Sequence, residues 1–222
     1  MLFPGGIEAT SNATLILSVA ATVIYGLIVN MRPMPLRTAV KTLAVALLAV
    51  LTFVENGPAL LFGALVLSAC GDALLSRDSD RSFLAGLICF LAGYLCYIAL
   101  FALQGSGMFP FQTETWRVVV AIAVVMLALV MVVLLWRRVK PAMRLPILVY
   151  VVAIVAMGFA ALTLHKAWVI AGALLLIASD SLLAAEKFLV SAVSPHRAWM
   201  RHLVWALYYA AQAIITLSFL LK

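Results

Sequence analysis

Apolar stretches about as long as a lipid bilayer is thick follow one another along almost the whole chain. A transmembrane helix needs about 20 consecutive, mostly apolar residues, and the sequence contains eight such stretches separated by short polar connections. They lie near residues 12–30, 37–54, 59–76, 82–103, 115–136, 145–163, 167–185 and 201–221. This pattern predicts an all-α polytopic membrane protein, a bundle of eight transmembrane helices.

The composition supports the same class. Hydrophobic residues make up 67% of the 222 residues and charged residues only 10%, and the mean hydropathy is +1.20. A soluble globule could not cover so much apolar surface. The longest polar connection, residues 186–200, is too short for a soluble domain, so residues 1–222 are predicted to form one integral-membrane domain. The first stretch follows no basic segment, and we expect a retained helix rather than a cleaved signal.

Basic residues concentrate at one side of the predicted spans. Twelve fall on that side: Arg32, Arg37, Lys41, Arg77, Arg81, Arg137, Arg138, Lys140, Arg144, Lys187, Arg197 and Arg201. Only Arg117, Lys166 and Lys222 fall on the other. Cytoplasmic loops carry an excess of Lys and Arg, so the basic side is predicted to be cytoplasmic, with both termini opposite. The net charge of +7 is then explained without nucleic acid, and we expect the inner (cytoplasmic) membrane of a bacterium.

Two aspartates interrupt the apolar stretches. Asp72 and Asp180 lie in spans three and seven, and each is followed two residues later by Leu-Leu. A carboxylate near the bilayer centre costs about 2.5–3.5 kcal/mol on insertion scales, so such residues usually serve a function. Asp72 precedes Arg77 by five residues and Asp180 precedes Glu186 by six. A rise of about 1.5 Å per residue therefore places both roughly 7–9 Å inside the cytoplasmic end, on parallel spans.

The sequences around the two aspartates resemble each other. Gly63-Ala-Leu precedes the first aspartate and Gly172-Ala-Leu the second. The two intervals differ by one residue, which is compatible with a duplicated four-helix unit. Small residues near both positions would let neighbouring helices approach closely; they are Ser68, Ala69, Gly71, Ala178 and Ser179.

The aspartates are compatible with three roles. They can be structural residues, bonded to a polar group of a neighbouring helix. If they face each other, repulsion and desolvation would keep one protonated beside the other ionised, a pair suited to general acid/base hydrolysis. They can also bind and release a proton in a transporter.

Several motifs resemble one membrane-protein family. They are GALLLIASDSLLAAEKF, CGDALLS, RPMPLRTAVK, FLAGYLCYIALF, LPILVYVVAIVAM and LYYAAQ. In the order and spacing that they have along the chain, they resemble the YhhN family, which includes the lysoplasmalogenases. The resemblance implies hydrolysis of the vinyl-ether bond of a lysoplasmalogen to a fatty aldehyde and glycerophosphoethanolamine or glycerophosphocholine. It implies Asp72 and Asp180 as the paired catalytic acids. Their predicted depth near the cytoplasmic end of the spans places the active site toward the cytoplasmic leaflet.

This chemistry suits two carboxyl groups. Vinyl-ether hydrolysis needs a proton delivered to an alkene carbon, negative charge near an oxocarbenium-like intermediate, and an activated water. One neutral and one ionised aspartate can supply all three. We therefore expect no cofactor and no metal, and the predicted partners are a lysophospholipid substrate and membrane lipids. The oligomeric state stays open.

Five further residues are candidates for substrate binding. They are Lys41, Tyr94, Tyr150, Tyr208 and Gln212. The ammonium of Lys41 can reach a phosphate, or it can be a snorkelling lysine that marks the interface. The other four can orient substrate or water, or form hydrogen bonds between helices. Tyr94 stands where many YhhN members carry a histidine, and Lys41 is followed by Thr42 where many carry proline.

Other function classes remain open. An intramembrane aspartic protease would need glycine where Ala69 stands. A proton-coupled carrier or a non-catalytic lipid-binding protein is the alternative to an enzyme. Broken helices would favour a carrier, but the prolines, Pro146 among them, are placed in loops or at span starts by this interpretation.

Overall fold

The protein is built of α-helices. The computed structural model describes residues 2–6, 9–77, 79–191 and 193–221, which leaves Lys222 outside the described part. Of the described residues, 82% are helical and none lies in a strand. The helices in the described ranges are α1 (Thr10–Ile28), α2 (Pro35–Val54), α3 (Ala59–Leu75), α4 (Asp80–Gln104), α5 (Phe109–Thr113), α6 (Thr115–Trp136), α7 (Pro141–Leu162), α8 (Ala167–Phe188) and α9 (His196–Leu220). The all-α prediction is confirmed.

Each of the eight predicted spans coincides with one long helix. Among the described residues, seven helices are long and apolar enough to cross a membrane, namely α1, α2, α4, α6, α7, α8 and α9. Helix α3 has 17 residues, about 26 Å at 1.5 Å per residue, which is slightly less than a bilayer core. The structure thus supports an integral membrane protein with seven candidate spans, while the count of eight and the side of the termini stay predictions.

The outer surface of α6 shows why this fold needs lipid. Val119, Ile122, Met126, Leu129 and Val133 are all exposed. They recur every three or four residues and so form one stripe along the helix. In a soluble protein such a stripe would face the core. Here it faces outward, as lipid contact requires.

The chain divides into two compact units. The first contains the residues up to Leu100 and those from Gln212 onward, and the second contains Phe101–Ala211. Helices α4 and α9 therefore contribute to both units. The prediction of one domain over residues 1–222 stays a prediction.

Small residues set the helix spacing in the first unit. Ser18 of α1 donates a hydrogen bond to the carbonyl of Ala44 in α2, at 2.6 Å. Between α3 and α4, a Cβ atom on Gly71 would lie 2.6 Å from the ring of Phe90. The predicted close approach of helices around Asp72 is therefore present, and it is α4 that approaches.

An arginine closes a helix end in the second unit. Arg117 of α6 donates hydrogen bonds to the carbonyl of Leu162, the last residue of α7, at 2.6 Å and to that of Leu164, two residues beyond the helix, at 2.7 Å. The last carbonyls of a helix lack partners within the helix, so this side chain acts as their cap. Arg117 is only 3% exposed. It had been counted from the sequence as a cation at the end of a span, and its burial was not anticipated.

Proline placement differs from the expectation at one position. Pro146 lies inside α7 because the helix begins at Pro141, before the predicted start near residue 145. The prediction that it stands at a span start is therefore wrong. In the first turn of a helix the backbone N–H groups have no partner within the helix, so a proline there costs no hydrogen bond. In the second turn, where Pro146 lies, a proline removes one backbone hydrogen bond of the helix.

Candidate functional site

The first aspartate is held by an ion pair. Asp72 lies in the last turn of α3 and is 1% exposed. Its Oδ1 atom is 2.9 Å from Nζ of Lys41 in α2. A buried carboxylate without a partner would cost several kcal/mol, and an adjacent ammonium offsets part of that cost. Lys41, predicted to reach a phosphate, thus contacts the predicted catalytic acid, and its role toward phosphate stays a prediction.

An aromatic ring of α1 supports this ion pair. The ring centroid of the buried Tyr25 lies 6.0 Å from Nζ of Lys41 and 5.9 Å from Cζ of Arg37. Cations within about 6 Å of an aromatic ring are attracted to its face. Arg37 also donates a hydrogen bond to the carbonyl of Met31, at 3.2 Å. Tyr25 was not anticipated; the sequence signal for it is a phenol near the same end of its span as Lys41.

The second aspartate has a neutral partner among its contacts. Asp180 of α8 is half-buried, and its Oδ2 atom accepts a hydrogen bond of 2.9 Å from the hydroxyl of Tyr150 in α7. Tyr150 was predicted either to orient substrate or to bond a neighbouring helix. The contact fits the second interpretation. Because that neighbour is the predicted catalytic group, Tyr150 also fixes the orientation of the carboxyl.

Gln212 joins three helices of the first unit. Its Oε1 atom accepts a hydrogen bond from the hydroxyl of Tyr97 in α4, and its Nε2 atom donates to Oγ of Ser68 in α3, at 3.2 Å. Ser68 precedes Asp72 by four residues, so both lie on one face of α3. The amide therefore supports the helix face that carries Asp72. Its predicted contact with substrate stays a prediction.

The two remaining tyrosines lie inside their units. Tyr94 of α4, in the first unit, is 2% exposed, and Tyr208 of α9, in the second, is 6% exposed. The ring of Tyr208 packs against Trp205, with centroids 5.8 Å apart. Both tyrosines are therefore buried side chains that carry a polar hydroxyl. Neither assignment to substrate binding goes beyond a prediction.

The predicted site residues are distributed over both units. The first unit holds Lys41, Asp72, Tyr94 and Gln212, and the second holds Tyr150, Asp180 and Tyr208. Within the units the structure brings together Lys41 with Asp72, and Tyr150 with Asp180. That Asp72 and Asp180 act on one substrate is compatible with their equal predicted depth but does not follow from it, and it stays a prediction.

A second buried carboxylate of α8 holds the connection to α9. Oε1 of Glu186 lies 2.5 Å from Nε of Arg197 and 3.3 Å from Nε of Arg201. Glu186 is 7% exposed. The two arginines had been counted as cytoplasmic cations, and the structure shows that they also form this cluster. It anchors the end of α8, six residues beyond Asp180.

Within the described ranges, no three His, Cys, Asp or Glu side chains form a group that could hold a metal ion. A model of the YhhN family matches residues 36–219, from the start of α2 to the end of α9, and so includes both aspartates. No curated protein and no solved structure matched the chain.

Proposed function

Because this chain belongs to the YhhN family, we propose that it hydrolyses the vinyl-ether bond of a lysoplasmalogen. Lysoplasmalogenase is the known activity of the family. The proposed products are a fatty aldehyde and glycerophosphoethanolamine or glycerophosphocholine. The family match over most of the chain is the observation that carries the proposal, and the two intramembrane aspartates provide the chemistry.

The contact of Lys41 with Asp72 supports different roles for the two aspartates in the reaction. An ammonium at 2.9 Å favours Asp72 as the ionised member of the pair. Asp180, oriented by Tyr150, is then the proton donor. Both carboxyl groups must reach one substrate, and the equal predicted depth of the two residues supports this.

The proposed reaction is balanced in its protons. Asp180 gives its proton to the alkene carbon that does not carry the oxygen, which creates an oxocarbenium-like cation. Water adds to that cation while Asp72 takes a proton from the water. The resulting hemiacetal then breaks its bond to the glycerol oxygen. Its hydroxyl proton returns to Asp180, and the proton on Asp72 passes to the departing oxygen, so both acids regain their starting state.

The same end of α2 can hold the substrate phosphate. An ammonium has three donors, so Lys41 can bind Asp72 and still donate to a phosphate oxygen. Arg37 lies one turn earlier, against the same Tyr25 ring, and adds a planar donor suited to phosphate. We assign Tyr94, Tyr208 and Gln212 to the orientation of substrate and water.

The direct test is aldehyde release by purified protein in detergent. The substrates are ethanolamine and choline lysoplasmalogens, and the variants are Asp72→Asn and Asp180→Asn. Each removes one acid of the pair, and we expect at least a 100-fold loss, because positioned acids and bases contribute about 10²–10⁴-fold. Glu114→Gln is the matched control, since it makes the same change outside the helices.

Two results would overturn the proposal. One is a wild-type protein inert on both substrates, which would advance a different lipid or a carrier function. The other is an aspartate variant that elutes as folded protein in gel filtration and retains activity.

The shared site needs its own test, in which cysteines replace both aspartates after Cys70, Cys89 and Cys96 are changed to alanine. A short bifunctional thiol reagent should then join positions 72 and 180 within one chain, and failure to do so would contradict pairing.

A further inference from the structure

We propose that the second unit carries a binding site for an anionic phospholipid, in a groove between α6 and α7 near the turn that joins them. The groove is a shallow, open cleft, and its roughly 250 Å³ of empty space consists mostly of its open mouth. Leu135, Trp136 and Val139 line it from α6 and the turn, and Arg144 and Ile147 line it from α7. Apolar side chains with one cation among them suit an amphiphile.

Arg144 supplies the recognition element of this groove. Its Cζ atom lies 5.2 Å from the ring centroid of Trp136, which fixes the guanidinium by a cation–π contact. Its Nε atom is buried and has no hydrogen-bond partner among the described residues. A buried donor left unsatisfied costs about 1–3 kcal/mol. A ligand oxygen that reached this edge of the guanidinium, after a small movement of the side chain, would recover that cost.

The positive charge around the groove favours a negatively charged ligand. Arg137, Arg138 and Lys140 are exposed in the same turn, so four cations lie within residues 137–144. The sequence has no Asp or Glu between Glu114 and Asp180. Basic pockets between membrane helices bind anionic lipid head groups, and each cation near the surface contributes about 1 kcal/mol. A lipid with a net negative head group is therefore favoured over a zwitterionic one.

The groove geometry identifies a lipid rather than a free anion. A free phosphate would gain from the cations but nothing from the apolar lining. An acyl chain packed along Val132, Ile147 and Leu148 would contact apolar side chains while its head group lies beside Arg144. The proposed vinyl-ether substrates carry ethanolamine or choline and are zwitterionic. The groove therefore serves a different ligand, and the proposal stands independently of the catalytic one.

Lipid binding to the purified protein tests the proposal. Phosphatidylglycerol and phosphatidylcholine of the same chain length are titrated into detergent-purified protein, and bound lipid is counted by native mass spectrometry. We expect wild type to prefer phosphatidylglycerol. Arg144→Gln should weaken its binding by more than about tenfold, because it loses one cation and one aligned donor. Arg138→Gln is the matched control from the same turn; it loses one cation but no aligned donor and should weaken binding about fivefold.

Two further variants separate the groove from general surface charge. Ile147→Trp leaves the charge unchanged but fills the apolar part, and we expect weaker binding of phosphatidylglycerol. Arg144→Lys retains the charge and should bind with intermediate affinity. Aldehyde release in detergent should be unchanged in Arg144→Gln. Equal binding of the two lipids, equal losses in Arg144→Gln and Arg138→Gln, or tighter binding of phosphatidylcholine would each overturn the proposal.

Discussion

The Asp72 region of the first unit holds its carboxylate with an ammonium, whereas in the Asp180 region of the second unit a phenol donates to the carboxylate. Asp72 is almost fully buried, and Lys41 lies 2.9 Å away. Asp180 is half-buried, and Tyr150 donates to it at the same distance. Both carboxylates belong to similar Asp-x-Leu-Leu segments. The neighbouring helix, α2 in one case and α7 in the other, therefore decides what each aspartate contacts.

This difference sets the energetic cost of disturbing each region. A deeply buried charge must be paired, and removing one member of such a pair leaves the other without compensation. A half-buried carboxylate keeps some access to water or lipid head groups. We therefore expect the Asp72 region to be sensitive to its partner and the Asp180 region to be more tolerant.

The largest effect is expected from Lys41→Met. This change leaves Asp72 buried without its ammonium and should lower the free energy of unfolding by about 3 kcal/mol, the lower end for a broken buried pair. Unfolding in increasing dodecyl sulfate, followed by circular dichroism, measures it. The double variant Lys41→Met, Asp72→Asn should cost less than the sum of the single variants. Additive costs would show that the ion pair does not stabilise the fold.

A smaller effect is expected from Tyr150→Phe. The variant removes one hydrogen bond to Asp180, and bonds between membrane helices contribute about 0.6 kcal/mol on average and at most about 1.7. We expect a loss of about 1 kcal/mol in the same unfolding assay. Because Tyr150 orients the proposed proton donor, kcat should fall more than KM rises. A change confined to KM would instead assign the hydroxyl to substrate binding.

The two serines beside the aspartates should behave alike. Ser68 accepts a hydrogen bond from Gln212 in the first unit, and Ser179 donates one of 3.0 Å to the carbonyl of Val204 in the second. Ser68→Ala and Ser179→Ala should each cost about 0.6 kcal/mol. Unequal costs would show that the regions differ beyond the partners of their aspartates.

The smallest effect is expected at Glu114, a carboxylate outside the helices that serves as a reference for the buried pair. Hydrogen bonds from Arg117, and then from Trp116, hold the pKa of Glu114 below its ordinary value of 4.5. A carboxyl group with a lowered pKa in the folded state stabilises the fold at pH values above its pKa in the unfolded chain. This stabilisation is lost as the pH falls through the lower pKa of the folded state. Wild type should therefore unfold at a slightly higher temperature than Glu114→Gln at pH 6. The difference should shrink by pH 3.5, and a gap that widens in acid would contradict the assignment.

The helices themselves follow from hydropathy. The prediction of 59–76 agrees with Ala59–Leu75, and that of 115–136 agrees with Thr115–Trp136, because apolar runs end where charged or turn residues begin. The short α5, Phe109–Thr113, was not predicted, since five residues carry too little periodicity. The predicted start of α7 near residue 145 is too late, because Pro146 does not end the helix, which begins at Pro141.

The partners of the aspartates were within reach of the sequence. Lys41 lies four residues inside the cytoplasmic end of its predicted span, and Asp72 lies four residues inside its own. Tyr150 and Asp180 are each five residues inside theirs. Matched depth is therefore a usable signal for contact. The role of Arg117 was not accessible in this way, because its acceptors are main-chain carbonyls that leave no mark in a sequence.

The contact of Gly71 with the ring of Phe90 limits which sequences this protein can accept. Any side chain at position 71 would bring its first carbon within 2.6 Å of that ring, and the next residue is Asp72. Even alanine would force α3 and α4 apart, which would move the carboxylate, or would turn the ring away. In a deep mutational scan, position 71 should therefore tolerate few substitutions, for reasons of volume rather than charge.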